Sequence, residues 1–82
     1  MNTPYNYYAF ARRIARKLSK AGYDDWCSRI LNAIDGGSTS GEIFADLGSA
    51  LNELKDSSLA IEESLRNEIV DLLSKIDKVL KQ

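Results

Sequence analysis

Carboxylates are the functional groups in this sequence whose spacing is most suggestive. Glu42, Asp46, Glu53 and Asp56 recur at steps of four, seven and three residues, with Ser49 between them. At 3.6 residues per turn these positions share one side of a helix, and no lysine or arginine interrupts that side. Paired carboxylates perform acid–base chemistry only where their surroundings separate their proton affinities. On a solvated helix face they act as charge instead. An unneutralised acidic stripe costs some self-repulsion, and the chemistry it offers is recognition of a basic surface.

Other chemistries lack their parts. The chain has no histidine, so the commonest general base and metal ligand is missing. Cys27 is the single cysteine. It falls in an apolar stripe with Trp26 and Ile30, where a thiol reads as a small buried apolar side chain. Gly36-Gly37-Ser38-Thr39-Ser40-Gly41-Glu42 is rich in glycine but has no P-loop lysine and no evident preceding strand. The residues therefore point away from an enzyme and call for no cofactor or metal.

Aromatic residues form a second feature. Tyr5, Tyr7, Tyr8 and Phe10 crowd the beginning, and Tyr23-Asp24-Asp25-Trp26 follows a first turn. One helix cannot turn them all inward, so Tyr5, Tyr8 or Tyr23 is expected at the surface, a composition common in interfaces. A third feature is the basic run Arg12, Arg13, Arg16, Lys17 and Lys20. It invites a nucleic-acid reading, but the chain is net −1 with a pI near 5.3, and phosphate binding calls for a wider positive field.

These charges are unevenly spread. Residues 1–35 carry six Lys/Arg against three Asp/Glu, a net +3, and residues 36–82 carry five against nine, a net −4. A bipolar molecule is expected. Eighty-two residues with 44% hydrophobic content fit one small domain with a single core. One thiol cannot close an internal disulfide, which makes a reducing cytoplasm the default compartment. The first residues lack the basic-then-apolar order of a signal peptide. No apolar run approaches the roughly 20 residues of a membrane span.

Hydrophobic periodicity supplies the elements that would carry these groups. Thr3-Pro4 suits a helix start, and Tyr7, Phe10, Ala11, Ile14, Leu18 and Ala21 trace one face up to Gly22. Asp24 and Asp25 open a short second helix with Trp26, Cys27, Ile30, Leu31 and Ile34 inward. Gly36 and Gly37 can end it by taking positive φ. Thr39 and Glu42 have capping-box spacing for a third helix with the stripe Ile43, Phe44, Leu47, Ala50, Leu51 and Leu54. Gly48 inside it suggests the close approach of another backbone. After Asp56-Ser57-Ser58, the residues Leu65, Ile69, Leu72, Leu73, Ile76, Val79 and Leu80 mark the last helix. Glu62–Arg66, Asp71–Lys75 and Asp77–Lys81 have the spacing of stabilising pairs along it. The expected architecture is all-α, a compact antiparallel four-helix bundle in one domain, residues 1–82, with helices near 4–21, 24–34, 40–55 and 59–81.

The order Trp26…Ile30-Leu31…Ile34, then Gly36 to Ile43, then a Leu-rich helix and a closing Ile69-Val70-x-Leu72-Leu73-x-x-Ile76-x-x-Val79-Leu80 helix resembles small bacterial immunity proteins of polymorphic toxin systems, the MafI-like group in particular. In size it is similar to immunity proteins of contact-dependent growth inhibition. The resemblance covers residues 20–82 and leaves out the aromatic, basic first helix. It implies a non-enzymatic protein that binds a cognate toxin domain in the producing cell and covers its active site or an essential surface. The acidic stripe would then suit a nuclease toxin with a basic cleft, with Glu42, Asp46, Ser49, Glu53 and Asp56, joined by Tyr5, Tyr8 and Tyr23, as the contact residues.

Two other classes stay open. One is a small DNA-binding regulator or antitoxin that uses the basic first helix. The other is an adaptor bundle that self-associates through exposed aromatics, with either a monomer or a weak dimer compatible with the sequence.

Overall fold

A computed structural model describes residues 6–81. Asn6 starts the first helix, its side-chain oxygen accepting from the Ala9 amide at 3.0 Å. Helix α1 runs Tyr7–Lys20, three residues later than the Thr3-Pro4 spacing suggests. Asn6 is as good a cap as threonine, and Thr3, Pro4 and Tyr5 lie outside the described residues. The other end follows the sequence closely. Gly22 sits at φ 94°, its amide donates to Ser19 O at 3.0 Å, and the Tyr23 amide donates to Leu18 O at 2.8 Å. This is a Schellman motif, which uses the last orphan carbonyls of the helix and turns the chain back.

Helix α2, Asp24–Gly36, carries Asp24 and Asp25 in its first turn, and Asp24 accepts from Ser19 Oγ at 2.7 Å. Gly37 follows with φ −82° and ψ 143°. Neither Gly36 nor Gly37 takes positive φ, contrary to the expectation for this turn. Gly37 is needed for a different reason: a Cβ there would collide with Ile43 Cγ1 and lie 3.2 Å from the Ile43 amide nitrogen. Thr39 caps α3, Ser40–Asp56. Its Oγ1 accepts from the Glu42 amide at 3.2 Å, and the Glu42 carboxylate reaches back to the Ser38 amide at 3.0 Å. The capping box thus closes one residue upstream of its usual return bond.

Ser57 ends α3 with its hydroxyl on Leu54 O at 2.6 Å. The chain does not re-enter a helix at residue 59 as the sequence suggests. Leu59 and Ile61 instead pack against the core as part of the connection, and α4 is Glu63–Leu80. Arg66 explains the delay. It forms no ion pair with Glu62; its guanidinium donates to Leu59 O at 3.2 Å and Lys55 O at 3.4 Å. It thereby serves a carbonyl of the last turn of α3 that the helix cannot satisfy itself. The other two expected pairs form, Lys75–Asp71 at 2.9 Å and Lys81–Asp77 at 3.0 Å.

The four helices form an all-α bundle. Helix α1 meets α2 and α4, and α3 meets the same two. Neither diagonal pair brings its backbones close among the described residues, so α1 and α3 occupy opposite corners and meet across the bundle through side chains, Tyr7 and Tyr8 on Phe44. Neighbours run antiparallel: early α2 meets late α3 through Arg29 and Glu53, while Ala45 faces Leu80 at one end of the α3–α4 seam and Lys55 faces Val70 at the other. The radius of gyration is 12.2 Å, against about 12 Å for a compact chain of this length.

Ile14, Leu18, Ile30, Leu47, Leu51, Leu54, Ile69, Leu72 and Ile76 are fully buried, and no polar or charged residue is buried among the described residues. Several inward assignments shift. Phe10 is 39% exposed, because it lies about 90° around the helix from the stripe Ala11, Ile14, Ala15 and Leu18. Ala21, the C-cap, is exposed, and Cys27 is half-buried and not enclosed. Gly48 is buried, but the atom a Cβ would meet is the side-chain Cγ2 of Ile76 at 3.5 Å, an ordinary contact and not a second backbone.

Candidate functional site

The acidic residues of α3 come together as their spacing requires. Glu42, Asp46, Ser49, Glu53 and Asp56 are all exposed, on the outer ridge of the helix opposite its buried residues Leu47, Ala50, Leu51 and Leu54. Their individual circumstances differ. Glu42 is occupied with its capping bond to Ser38. Glu53 is ion-paired with Arg29 of α2, whose guanidinium carbon also stands 5.6 Å from the Trp26 ring centroid. The stripe is therefore uninterrupted along α3 itself but is met by one cation from the neighbouring helix. Sequence reading passed over Arg29. The clue is that it is the only Lys/Arg in α2 and that an antiparallel hairpin sets early α2 beside late α3. Asp46 and Asp56 form no ion pair among the described residues, and they are the ridge's free charges.

The tyrosines do not join this ridge. Tyr8 is half-buried and stacks on Phe44 at 5.8 Å between ring centroids, and Tyr7 meets the same ring edge-on at 5.0 Å. Tyr23, also half-buried, donates its hydroxyl to Ala60 O at 3.3 Å, tying the first turn to the α3–α4 connection. Tyr8 and Tyr23 lie at opposite ends of α1, roughly 20 Å apart along its axis. They act as packing residues, and Tyr5 falls outside the described residues. Among the described residues the exposed large apolar side chains are Phe10, Val70 and Leu80, none of which the sequence marks as surface residues.

The basic face of α1 is largely engaged within the molecule. Arg12 pairs with Asp35 at 3.1 Å. Arg13 and Lys17 both pair with Glu68 of α4. Arg16 and Lys20 remain exposed with no ion pair among the described residues. Helix α1 thus holds five cations and no carboxylate, α3 holds four carboxylates and one lysine, and the two stand at opposite corners. Among the described residues no helix is long and apolar enough to cross a membrane.

The fold places the chain in the class of small all-α four-helix bundles. Compared with known proteins, it matches no family model, no curated protein and no solved structure.

Proposed function

We propose that this protein is an immunity protein that binds and neutralises a cognate bacterial toxin domain, without catalysis of its own, by laying its acidic α3 ridge over a basic active-site surface. The observation that carries the reading is the exposure of Glu42, Asp46, Ser49, Glu53 and Asp56 on one outer face of the helix diagonal to the basic α1. Asp46 and Asp56 hold no ion pair among the described residues, so their charge is available to a partner without breaking a bond within the bundle. A nuclease domain, whose phosphate-binding cleft must be positive, has the complementary surface. The resemblance of residues 20–82 to MafI-like proteins supports the same reading, with the producing cell's cytoplasm as the place of action.

The test is co-expression with the C-terminal domain of a large secreted protein encoded next to this chain. Co-purification and restored growth are expected. The double variant Asp46→Lys/Asp56→Lys should lower the association rate about tenfold or more at low salt. These two positions are the right ones to reverse, since Glu42 and Glu53 also serve the fold. Unchanged binding and protection in that variant would remove the ridge from the interface.

A further inference from the structure

A continuous groove runs along the α3–α4 seam. It opens as two adjoining hollows, of about 300 Å³ and 360 Å³, that share Asn52, Leu73 and Asp77. Its two walls differ. The α4 wall carries Val70, 45% exposed, half-buried Leu73, and Leu80, 47% exposed. Two of the three large apolar side chains exposed among the described residues therefore border this one channel. The α3 wall presents the shorter Ala45, Ser49 and Asn52, with Gly48 at the floor, and ends at Lys55. The charges that line the groove are one of each sign, Lys55 and Asp77, and Lys81 already bridges Asp77. Asp46 lines the α2–α3 hollow with Arg29 and Asn32 instead, and Glu53 pairs with Arg29 on that same side. Charge in the groove thus favours a partner of neither sign, and shape selects the occupant.

We infer that the groove is the interface of a weak homodimer whose two-fold axis runs along the seam. Such an axis sets the α3 of one copy over the α4 of the other and keeps every residue at its own level along the groove. Ala45 is level with Leu80 and Lys55 with Val70. In antiparallel helices of equal rise, Asn52 is then level with Leu73, and Gly48 and Ser49 with Asp77. Each large side chain of one copy therefore meets a short or pliant one of the other. Leu80 packs on Ala45, Leu73 on Asn52, and Val70 along the aliphatic stem of Lys55. Asp77 stands opposite the Ser49 hydroxyl, a donor. The contact uses no aromatic side chain. A two-fold axis perpendicular to the helices fits less well: it lays α3 antiparallel on α3 and brings the exposed Glu42 of one copy beside the exposed Asp56 of the other, a like-charge clash. In the favoured arrangement Asp46 and Glu53 lie outside the contact, on opposite flanks of the pair, so the inference does not rest on the toxin reading. The patch spans about three to four helical turns and two helix widths, roughly 400–500 Å² per copy and about 800–1,000 Å² for the pair, the range of weak, reversible complexes. A Kd on the order of 100 μM is expected.

The test uses this chain alone. Sedimentation equilibrium of the full chain between about 10 μM and about 1 mM should show a reversible monomer–dimer equilibrium within about tenfold of that Kd. In the isotopically labelled chain, the amides of Ala45, Gly48, Asn52 and Leu73 should shift over the same range. Leu80→Glu and Ala45→Lys, both at exposed positions, should each weaken the dimer about tenfold or more by burying an unpaired charge. Val70→Gln, an uncharged change on the same wall, should weaken it less. An equimolar mixture of Leu80→Glu and Ala45→Lys chains should dimerise more tightly than either alone. The introduced charges meet at one contact while the other keeps its natural pair, and only an axis along the seam sets these two positions opposite each other. A chain that stays monomeric at about 1 mM would overturn the inference and leave the groove to a different protein. A dimer that neither charged substitution weakens, shifts confined to another face, or a mixture no tighter than its components would overturn it as well.

Discussion

Replacing Gly48 with alanine should stabilise this protein. The residue lies inside α3 and is buried, a setting in which glycine is usually read as a spacer for close helix contact. The geometry says otherwise: a Cβ built there meets nothing nearer than Ile76 Cγ2 at 3.5 Å. Alanine removes the propensity penalty of glycine in a helix interior, about 1 kcal/mol, by restricting the unfolded chain. Its methyl group also gains contact with Ile76 at normal van der Waals distance. The sum is a gain of about 1 kcal/mol, or about 4–8 °C in Tm for a domain of this size. Urea and thermal unfolding followed by far-ultraviolet circular dichroism would measure it. The same titrations on Gly37→Ala and Gly22→Ala provide the contrast. Gly37→Ala should destabilise by about 1–3 kcal/mol through overpacking against Ile43. Gly22→Ala should lose about 1 kcal/mol through strain at φ 94°. A lower urea midpoint in Gly48→Ala would refute the reasoning and mean that α3 and α4 approach more closely than the structure has them.

Truncating Leu51→Ala, at a fully buried position, should cost about 2–5 kcal/mol and show as a large drop in the denaturation midpoint. Thr39→Ala removes the N-cap of α3 and should cost about 1 kcal/mol, whereas Thr39→Ser should be near neutral in the same assay. Arg66→Lys keeps the charge but cannot bridge the Lys55 and Leu59 carbonyls in fork geometry; amide exchange in residues 57–62 should quicken and stability fall by about 1 kcal/mol. Glu68→Gln releases Arg13 and Lys17 at a partly exposed site, so its effect should stay below about 1 kcal/mol and vanish as salt is raised.

Helix periodicity carried the four-helix reading because each segment places its oily residues at steps of three and four, and four such ridges have few ways to cover one another. Boundaries were less legible. Leu59 and Ile61 fit a helical pattern as well as a packed connection, and the bonds that hold the connection, from Arg66 to Lys55 and Leu59 and from Tyr23 to Ala60, form only in the folded bundle. Phe10 shows a related limit. Its spacing from Ile14 and Leu18 is helical, yet the bundle's neighbours cover a narrower arc than the pattern allows. The sequence assigns Gly37 to ending α2 through positive φ, which it does not adopt; the encroachment of Ile43 that does require a glycine there depends on how the chain re-enters α3. The ridge on α3 was readable because it lies on a single helix. The Arg29–Glu53 link and the groove beside Val70 and Leu80 were not, because each is made by two helices and exists only once their register is set.

The opposite corners held by α1 and α3 give the molecule an electrical front and back. In the field of a charged partner such an object experiences a torque before it experiences contact, and it arrives already turned. Within a Debye length, about 8 Å at physiological ionic strength, α3 is drawn toward a positive surface while α1 is pushed away from it. Productive collisions thereby become a larger share of all collisions, and added electrolyte should slow arrival far more than departure.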